Sequence, residues 1–370
     1  MIIESEFDTE EKEYDEGNEP SIIRPYNPDL VDVIPQTITI HSIFDRIEHD
    51  EIDLMPSFQR NGGLWDITKK SRLIESILIK IPLPMFYFDS RDEEKWTIVD
   101  GLQRISTLNE FVLQKKWALH NLEYLQNYEG LTYDQLSRSM QRRIQECQIL
   151  SYCIRKGTPD DVTSSIFRRL NTGGLILRPA EVRNCVYRGI AAVLVKNMAE
   201  LLSFKAATRN TVSPNRMDDR DLAARFLAFY ILGYQKYTGN MDTFLEDGMK
   251  YIKEEDSQKL AESVLNAFDA SMKCCRDLFG DKAFRKRKLK DGNYGPINKS
   301  LFECTSCCIG TLSNEAREEL IRKKDLFFAQ YEKLFEGKFY AAVNSATGSM
   351  EHVQARYTLM YQLIEDVLEG

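Results

Sequence analysis

The sequence predicts an α+β protein in which a mixed α/β half is followed by a mainly helical half. Short apolar runs of strand length recur before residue 190, at Met85–Phe88, Trp96–Val99 and Ile149–Ile154. Between them, apolar residues fall at helical spacing, as in Ile67, Ile74, Leu78 and Ile81. Beyond residue 190 the strand signal fades and helical spacing dominates, so the composition shift there marks a boundary. The organisation read from this is an acidic flexible tail over 1–30, an α/β domain over 31–190 and a helical domain over 191–370.

The elements follow in order. Residues 1–20 hold nine acids and one lysine and lack apolar periodicity, which describes a disordered or loosely attached tail. Thr37–Ile40 reads as a short strand and Ile43–Ile52 as a helix. A glycine loop, Asn61-Gly62-Gly63, leads to Trp65 and a helix that Pro82 and Pro84 stop. Met85–Phe88 and Trp96–Val99 flank the polar Asp89–Lys95 as a hairpin. A helix over Gln103–Gln114 puts Ile105, Leu108 and Val112 on one face, and Ile149–Ile154 gives another strand. Thr158-Pro159-Asp160-Asp161 combines an N-cap, a first-turn proline and acids that favour the helix start. Pro179 opens a helix through Tyr187, closed by Gly189. Helices follow over Asp218–Tyr234 and, from an N-cap at Ser313, in one long run to Phe335.

The 370 residues are 43% hydrophobic and 29% charged, an ordinary soluble composition with room for two cores. No apolar run is long enough to span a bilayer and no signal peptide opens the chain, so a cytoplasmic, non-membrane protein is expected. The net charge is −8, from 57 acids and 49 bases. Setting aside the nine acids and one lysine of the tail leaves 48 of each, so the body is neutral and local basic patches remain open to nucleic acid. Eight cysteines form no disulfide framework. Cys304 and Cys307 have zinc-like spacing but no second pair and no nearby histidine, so core packing is expected and structural zinc is not.

Three polar clusters sit at loop–helix junctions. The central one is Asp100-Gly101-Leu102-Gln103-Arg104, where a strand turns on a glycine directly into a helix. Unpaired backbone N–H groups at such a turn, with an arginine fork beside them, suit phosphate. The second is Phe58-Gln59-Arg60. The third is Arg168-Arg169-Leu170-Asn171-Thr172-Gly173-Gly174, followed by Glu181-Val182-Arg183-Asn184. Gln59 and Asn171 can orient a base, ribose or water, Thr172 is a further nucleotide-binding candidate, and Arg60, Arg104 and Arg169 neutralise phosphate charge. Gly101 and Gly173 let backbone approach a ligand closely. Asp100, the one carboxylate of the central motif, is the candidate for polarising water or holding Mg²⁺. A plainer reading stands beside this one: Asp100 caps the helix and Arg104 pairs with Glu110 or a neighbouring acid. A basic run, Arg285-Lys286-Arg287-Lys288, is either a DNA-backbone contact or a solvated loop flank.

Taken together, Phe58-Gln59-Arg60, Trp65, the Ser71–Leu78 helix, Ile81-Pro82-Leu83-Pro84, Asp100–Arg104 and Leu170–Gly174 occur in an order that resembles the ParB/sulfiredoxin-like domain at the N-terminus of GmrSD-type modification-dependent restriction enzymes. The resemblance is specific over 35–190. It implies an α/β nucleotide-handling domain with a helical extension, and NTP hydrolysis with Mg²⁺ within bacterial defence against phage DNA. The family's Asp-Gly-x-Gln-Arg motif falls on Asp100, Gly101, Gln103 and Arg104, with Leu102 where glutamine is frequent. Its second motif falls on Phe58, Gln59 and Arg60, and its Asn-x-Gly loop on Asn171 and Gly173. The loop from Arg60 to Trp65 is one residue longer than the common form.

On this resemblance Asp100, Gln103 and Arg104 are expected to be catalytic, in a regulatory or sensor protein partnered by nucleotide, DNA and a separate HNH nuclease subunit. The alternatives are a non-catalytic DNA or modified-base binding module and a scaffold for that nuclease. His41, His49, His120 and His352 are dispersed and form no HNH arrangement, so the protein alone is not expected to cut DNA.

Overall fold

A computed structural model describes residues 27–54, 65–170, 178–254, 257–287 and 294–370. The chain divides into two compact units, one within Arg24–Val186 and one within Tyr187–Gly370.

The first unit is built on a five-stranded sheet. Its strands are β1 (Val33–Thr39), β2 (Ile52–Asp53), β3 (Phe86–Asp89), β4 (Trp96–Asp100) and β5 (Gln148–Ile154), in the order β1-β5-β3-β4-β2. β1 pairs antiparallel with β5, placing Thr37 opposite Leu150. β5 runs parallel to β3, with Tyr152 opposite Tyr87, and β3 forms the expected hairpin with β4. β2 runs parallel to β4. The helices are α1 (Ile40–Glu48), α2 (Ile67–Leu78), α3 (Leu102–Leu108), α4 (Arg138–Gln145), α5 (Asp160–Leu170) and α6 (Pro179–Val186).

Period-two alternation gives this sheet two unlike faces. Phe86, Phe88, Ile98, Ile149 and Cys153 are buried in one core with Ile43 and Phe44 of α1, Ile74 and Ile77 of α2, Ile105 of α3 and Ile144 of α4. Hydrophobic burial on this scale is the main stabilising term of the unit. The opposite face is divided. Asp89, Thr97, Val99 and Ile154 are buried there, and α5 packs on β4, while Pro35, Thr37 and Leu150 are exposed.

The element boundaries show which local signals prevail. β1 starts at Val33 because its whole length pairs with β5, and as an edge strand it tolerates Pro35. Thr39 caps α1 by accepting from the Ser42 N–H, which starts that helix at Ile40 and ends the strand a residue before the expected limit. The helix after Gly101 begins at Leu102 and widens into a π turn over Asn109–Leu113, where the Gln114 N–H donates to the Asn109 carbonyl at 2.9 Å.

The second unit is helical, with α7 (Ile190–Glu200), α8 (Leu202–Ala207), α9 (Asp218–Leu232), α10 (Met241–Glu254), α11 (Ser257–Phe279), α12 (Lys299–Gly310), α13 (Asn314–Arg322), α14 (Lys324–Leu334), α15 (Lys338–Asn344) and α16 (Met350–Glu369). β6 (Arg285–Arg287) pairs antiparallel with β7 (Tyr294–Ile297). Gly248 lets α10 approach α9, since a Cβ there would lie 2.7 Å from the Ala228 backbone. Ser313 caps α13 as expected, but the run to Phe335 is two helices broken at Lys323. The Lys323 ammonium donates to the Val367 carbonyl of α16 at 3.1 Å and to that of Leu368 at 3.3 Å. Tertiary anchoring at the joint thus overrides a sequence pattern that could continue as one helix.

α12 is buried along its length, and Glu303 at its centre is fully enclosed. Arg225 of α9 donates to Glu303 at 2.6 Å, and Arg356 of α16 takes the other carboxylate oxygen. Arg356 also donates to the Thr347 carbonyl at 2.6 Å. Cys304, Cys307 and Cys308 are buried on the same helix, and burial pushes the Cys304 thiol up to about 12. Those sulfurs are packing groups in the protonated form.

Candidate functional site

The central motif is a rigid turn with polar groups on it. β4 ends at Asp100, Gly101 adopts φ +103°, and α3 starts at Leu102. A side chain at Gly101 would fail twice. Its Cβ would sit 2.4 Å from Cδ1 of the Phe86 ring, and its φ lies in the left-handed region. The glycine therefore lets the strand end close down on the Phe86 ring and reverse directly into the helix.

Arg104, one helical turn on, folds back over the same ring, its guanidinium carbon 4.2 Å from the Phe86 centroid. It donates to the Pro84 carbonyl, to the Met85 carbonyl at 3.0 Å and to Asp100 Oδ2 at 2.8 Å. Burial pulls the guanidinium below its usual value while the Asp100 carboxylate pulls it up, and an arginine so placed remains a cation at neutral pH. Of the partners the sequence offers, the neighbouring acid is the one used; Glu110 pairs with Lys70 at 2.6 Å. Arg104 thus clamps three chain segments: the start of α3, the end of β4 and the approach to β3.

Its partner is more open. The Asp100 side chain keeps 38% of its exposure against 10% for Arg104. Gln103 is partly exposed, and its side chain makes no hydrogen bond among the described residues, while its carbonyl accepts from the Thr107 hydroxyl at 2.7 Å. The turn therefore presents a carboxylate and, among the described residues, an amide without a hydrogen-bond partner on a braced backbone.

Of the other expected residues, Arg169 is exposed in the last turn of α5. Gln59 and Arg60, and Asn171, Thr172 and Gly173, lie outside the described residues. Glu181 accepts from the Arg178 N–H at 2.6 Å, half of a capping box, which makes it part of the α6 start. Arg285 is turned inward: it donates to the Gly295 carbonyl at 2.9 Å and to the Thr211 hydroxyl at 2.5 Å. Strand pairing in β6 dictates that burial, and it corrects the assignment of Arg285 to a DNA surface. Lys286 reaches Asn344 at 2.9 Å, Arg287 belongs to β6, and Lys288 lies outside the described residues.

Two supporting constellations had no recognisable signal as motifs. Glu75 of α2 is buried and accepts from the backbone N–H groups of Glu123, Tyr124 and Leu125 at 3.1, 2.7 and 2.8 Å. Burial alone would raise its carboxyl, but the N–H donors more than offset this and hold it below the usual range. Arg91, beyond β3, grips Asp89 with two bonds of 2.9 Å and Asp160 with one of 2.5 Å. This fixes the start of α5 to the sheet.

Residues 40–188 match the model of the GmrSD restriction endonuclease N-terminal domain. The chain carries a GmrSD-type N-terminal domain. The comparison with curated proteins returns no match. The GmrSD-type domain takes in strands β2 to β5, the whole Asp100–Arg104 turn and both helices that flank residues 171–177. Among the described residues, no group of three or more His, Cys, Asp or Glu side chains is arranged to hold a metal. Among them, too, no helix is long and apolar enough to cross a membrane.

Proposed function

We propose that the GmrSD-type domain binds a nucleoside triphosphate at the Asp100–Arg104 turn and hydrolyses it, as the regulatory or sensor part of a DNA-restriction system. Family membership supports the role in restriction. The observation that carries the nucleotide reading is the turn itself, where Gly101 is locked on Phe86 and Asp100 and Gln103 are presented from a braced backbone. Phosphoryl transfer rests largely on positioning, and such a braced turn supplies it.

In this reading Arg104 braces the turn and adds positive potential from beneath it. Gln103 orients the terminal phosphate or the attacking water, and Asp100 holds that water. Mg²⁺ arriving with the nucleotide fits here through shared coordination. Asp100 Oδ1 would give one oxygen and phosphate and water the others, which suits an ion that keeps most of its waters. When bound, the ion would neutralise phosphate charge.

The described elements next to the turn are β2 and α5. β2 runs parallel to β4, pairing Ile52 with Trp96 and Asp53 with Thr97 at the start of β4, and so points along β4 toward Asp100. α5 starts at Asp160 beside Asp89, packs on β4 and has 11 residues, a length of ~16 Å that matches the strand beneath it. This carries Arg169 toward the Asp100 end. Gln59, Arg60, Asn171, Thr172 and Gly173 lie outside the described residues and are assigned to the same nucleotide on the family motifs alone, with DNA and a separate HNH nuclease subunit as partners.

The test is phosphate release from each of the four NTPs, with and without DNA, using the purified full chain and Mg²⁺. Turnover of at least one NTP is expected. Absence of both binding and turnover for all four would overturn the reading.

A further inference from the structure

The register of the sheet sets four residues in one row across four strands: Pro35 of β1, Tyr152 of β5, Tyr87 of β3 and Asp100 of β4. The two tyrosine rings stack, with centroids 5.4 Å apart and planes within 15°. Both are partly exposed. They stand where the divided face of the sheet changes character: Asp89, Thr97 and Val99 are buried on one side of them, and Pro35, Thr37 and Leu150 are exposed on the other. The Asp100 carboxylate acts on the Tyr87 phenol, adding to the effect of burial and of Tyr152 in raising it. The ring pair and the polar turn are therefore neighbours on one surface. With strands spaced by ~4.8 Å, the row from Tyr152 to Asp100 spans ~10 Å, within reach of a single nucleotide.

A partly exposed pair of stacked aromatic rings offers a π-surface that a planar heteroaromatic ring can extend. Neither ring is needed for the main core, which lies on the opposite face. We propose that Tyr152 and Tyr87 form the base-stacking platform of the nucleotide site, receiving the nucleobase of the triphosphate whose phosphates lie at the Asp100–Arg104 turn. The proposal rests on the nucleotide reading of that turn and adds the subsite that holds the base. Stacking is tolerant of base identity, so purine nucleotides bind more tightly than pyrimidine ones by ring area alone, with no hydrogen-bond code required.

The test is calorimetric titration of the full chain with ATP, CTP, inorganic tripolyphosphate and a short single-stranded DNA, for the wild type, Tyr152→Leu and Tyr152→Phe. Thermal unfolding confirms that each variant is folded. Tyr152→Leu is expected to weaken ATP about five- to hundredfold, the range of one lost stacking contact, and to leave tripolyphosphate unchanged. Tyr152→Phe keeps the ring and is expected to retain ATP affinity. Equal loss of ATP and tripolyphosphate would overturn the platform in favour of a general structural effect. Unchanged ATP affinity in Tyr152→Leu would overturn the platform while leaving the phosphate site standing. Loss confined to single-stranded DNA would make the platform a DNA contact and overturn its assignment to a mononucleotide. Wild-type protein that binds neither ATP nor tripolyphosphate would remove the phosphate site, and the platform with it.

Discussion

Each of the two units sets arginine against a carboxylate, and the pairs are finished differently. In the helical unit Glu303 holds Arg225 and Arg356, with each side chain at most 8% exposed. In the sheet unit Arg104 is buried, but its partner Asp100 keeps 38% of its exposure and stands beside a glycine turn. A network closed on all sides fixes how helices meet; one left open on a single side holds a reactive group in place and still offers it to a ligand. Residue type alone does not tell these apart. Burial of the partner does.

Breaking the closed network should have the largest effect. Glu303→Ala leaves the buried Arg356 guanidinium without its counter-charge and Arg225 with Asp221 at 3.5 Å, and is expected to destabilise the helical unit by about 3–5 kcal/mol. Urea unfolding followed by far-UV circular dichroism measures it. A loss under about 1 kcal/mol would show that the network is not closed as described. A combined replacement by apolar residues of similar volume should recover much of the loss, because the desolvation cost disappears with the charges.

The open turn is tested by Gly101→Ala. Left-handed φ alone costs ~1–3 kcal/mol for a residue with a Cβ, and the Phe86 ring must also move. The expected outcome is a lower Tm for the sheet unit and loss of nucleotide affinity. Wild-type affinity in this variant would mean that the turn is not part of the binding site.

A smaller effect separates scaffold from site. Glu75→Gln keeps the shape but replaces a carboxylate that accepts three backbone N–H groups, and should cost ~1–3 kcal/mol at neutral pH. Because the folded-state carboxyl is held below its unfolded value, this stabilisation is present above about pH 4.3, the ordinary glutamate value. It is lost as pH falls through the lower folded value. The difference between wild type and variant should therefore shrink on acidification. A difference that is constant from pH 7 to pH 3 would remove the carboxylate as its cause.

Much of the sheet unit was legible in the sequence because its signals are local. The Asp-Gly turn, the apolar runs of β3, β4 and β5, and the proline and acids at the start of α5 each act within a few residues. The long-range features were not legible. Tyr87 and Tyr152 lie 65 positions apart, and only the parallel pairing of β3 with β5 sets their rings together. Arg285 reads as one cation in a basic run until β6 forms and its side chain meets Gly295 and Thr211. Glu75 looks like an ordinary helix surface acid until the backbone of Glu123–Leu125 arrives above it. The break at Lys323 likewise depends on the end of α16 being there to receive the ammonium.

The most direct measurement uses Gln103, the member of the turn whose side chain is least engaged in holding the fold. NTP turnover and thermal unfolding are measured in parallel for the wild type and Gln103→Ala. A Tm within a degree or so of wild type is expected, since no side-chain hydrogen bond is lost among the described residues. Turnover is expected to fall by about a hundredfold, the scale of removing one positioned polar group from a charge-stabilising site. Unchanged turnover in a folded Gln103→Ala protein would contradict the placement of the nucleotide at the Asp100–Arg104 turn.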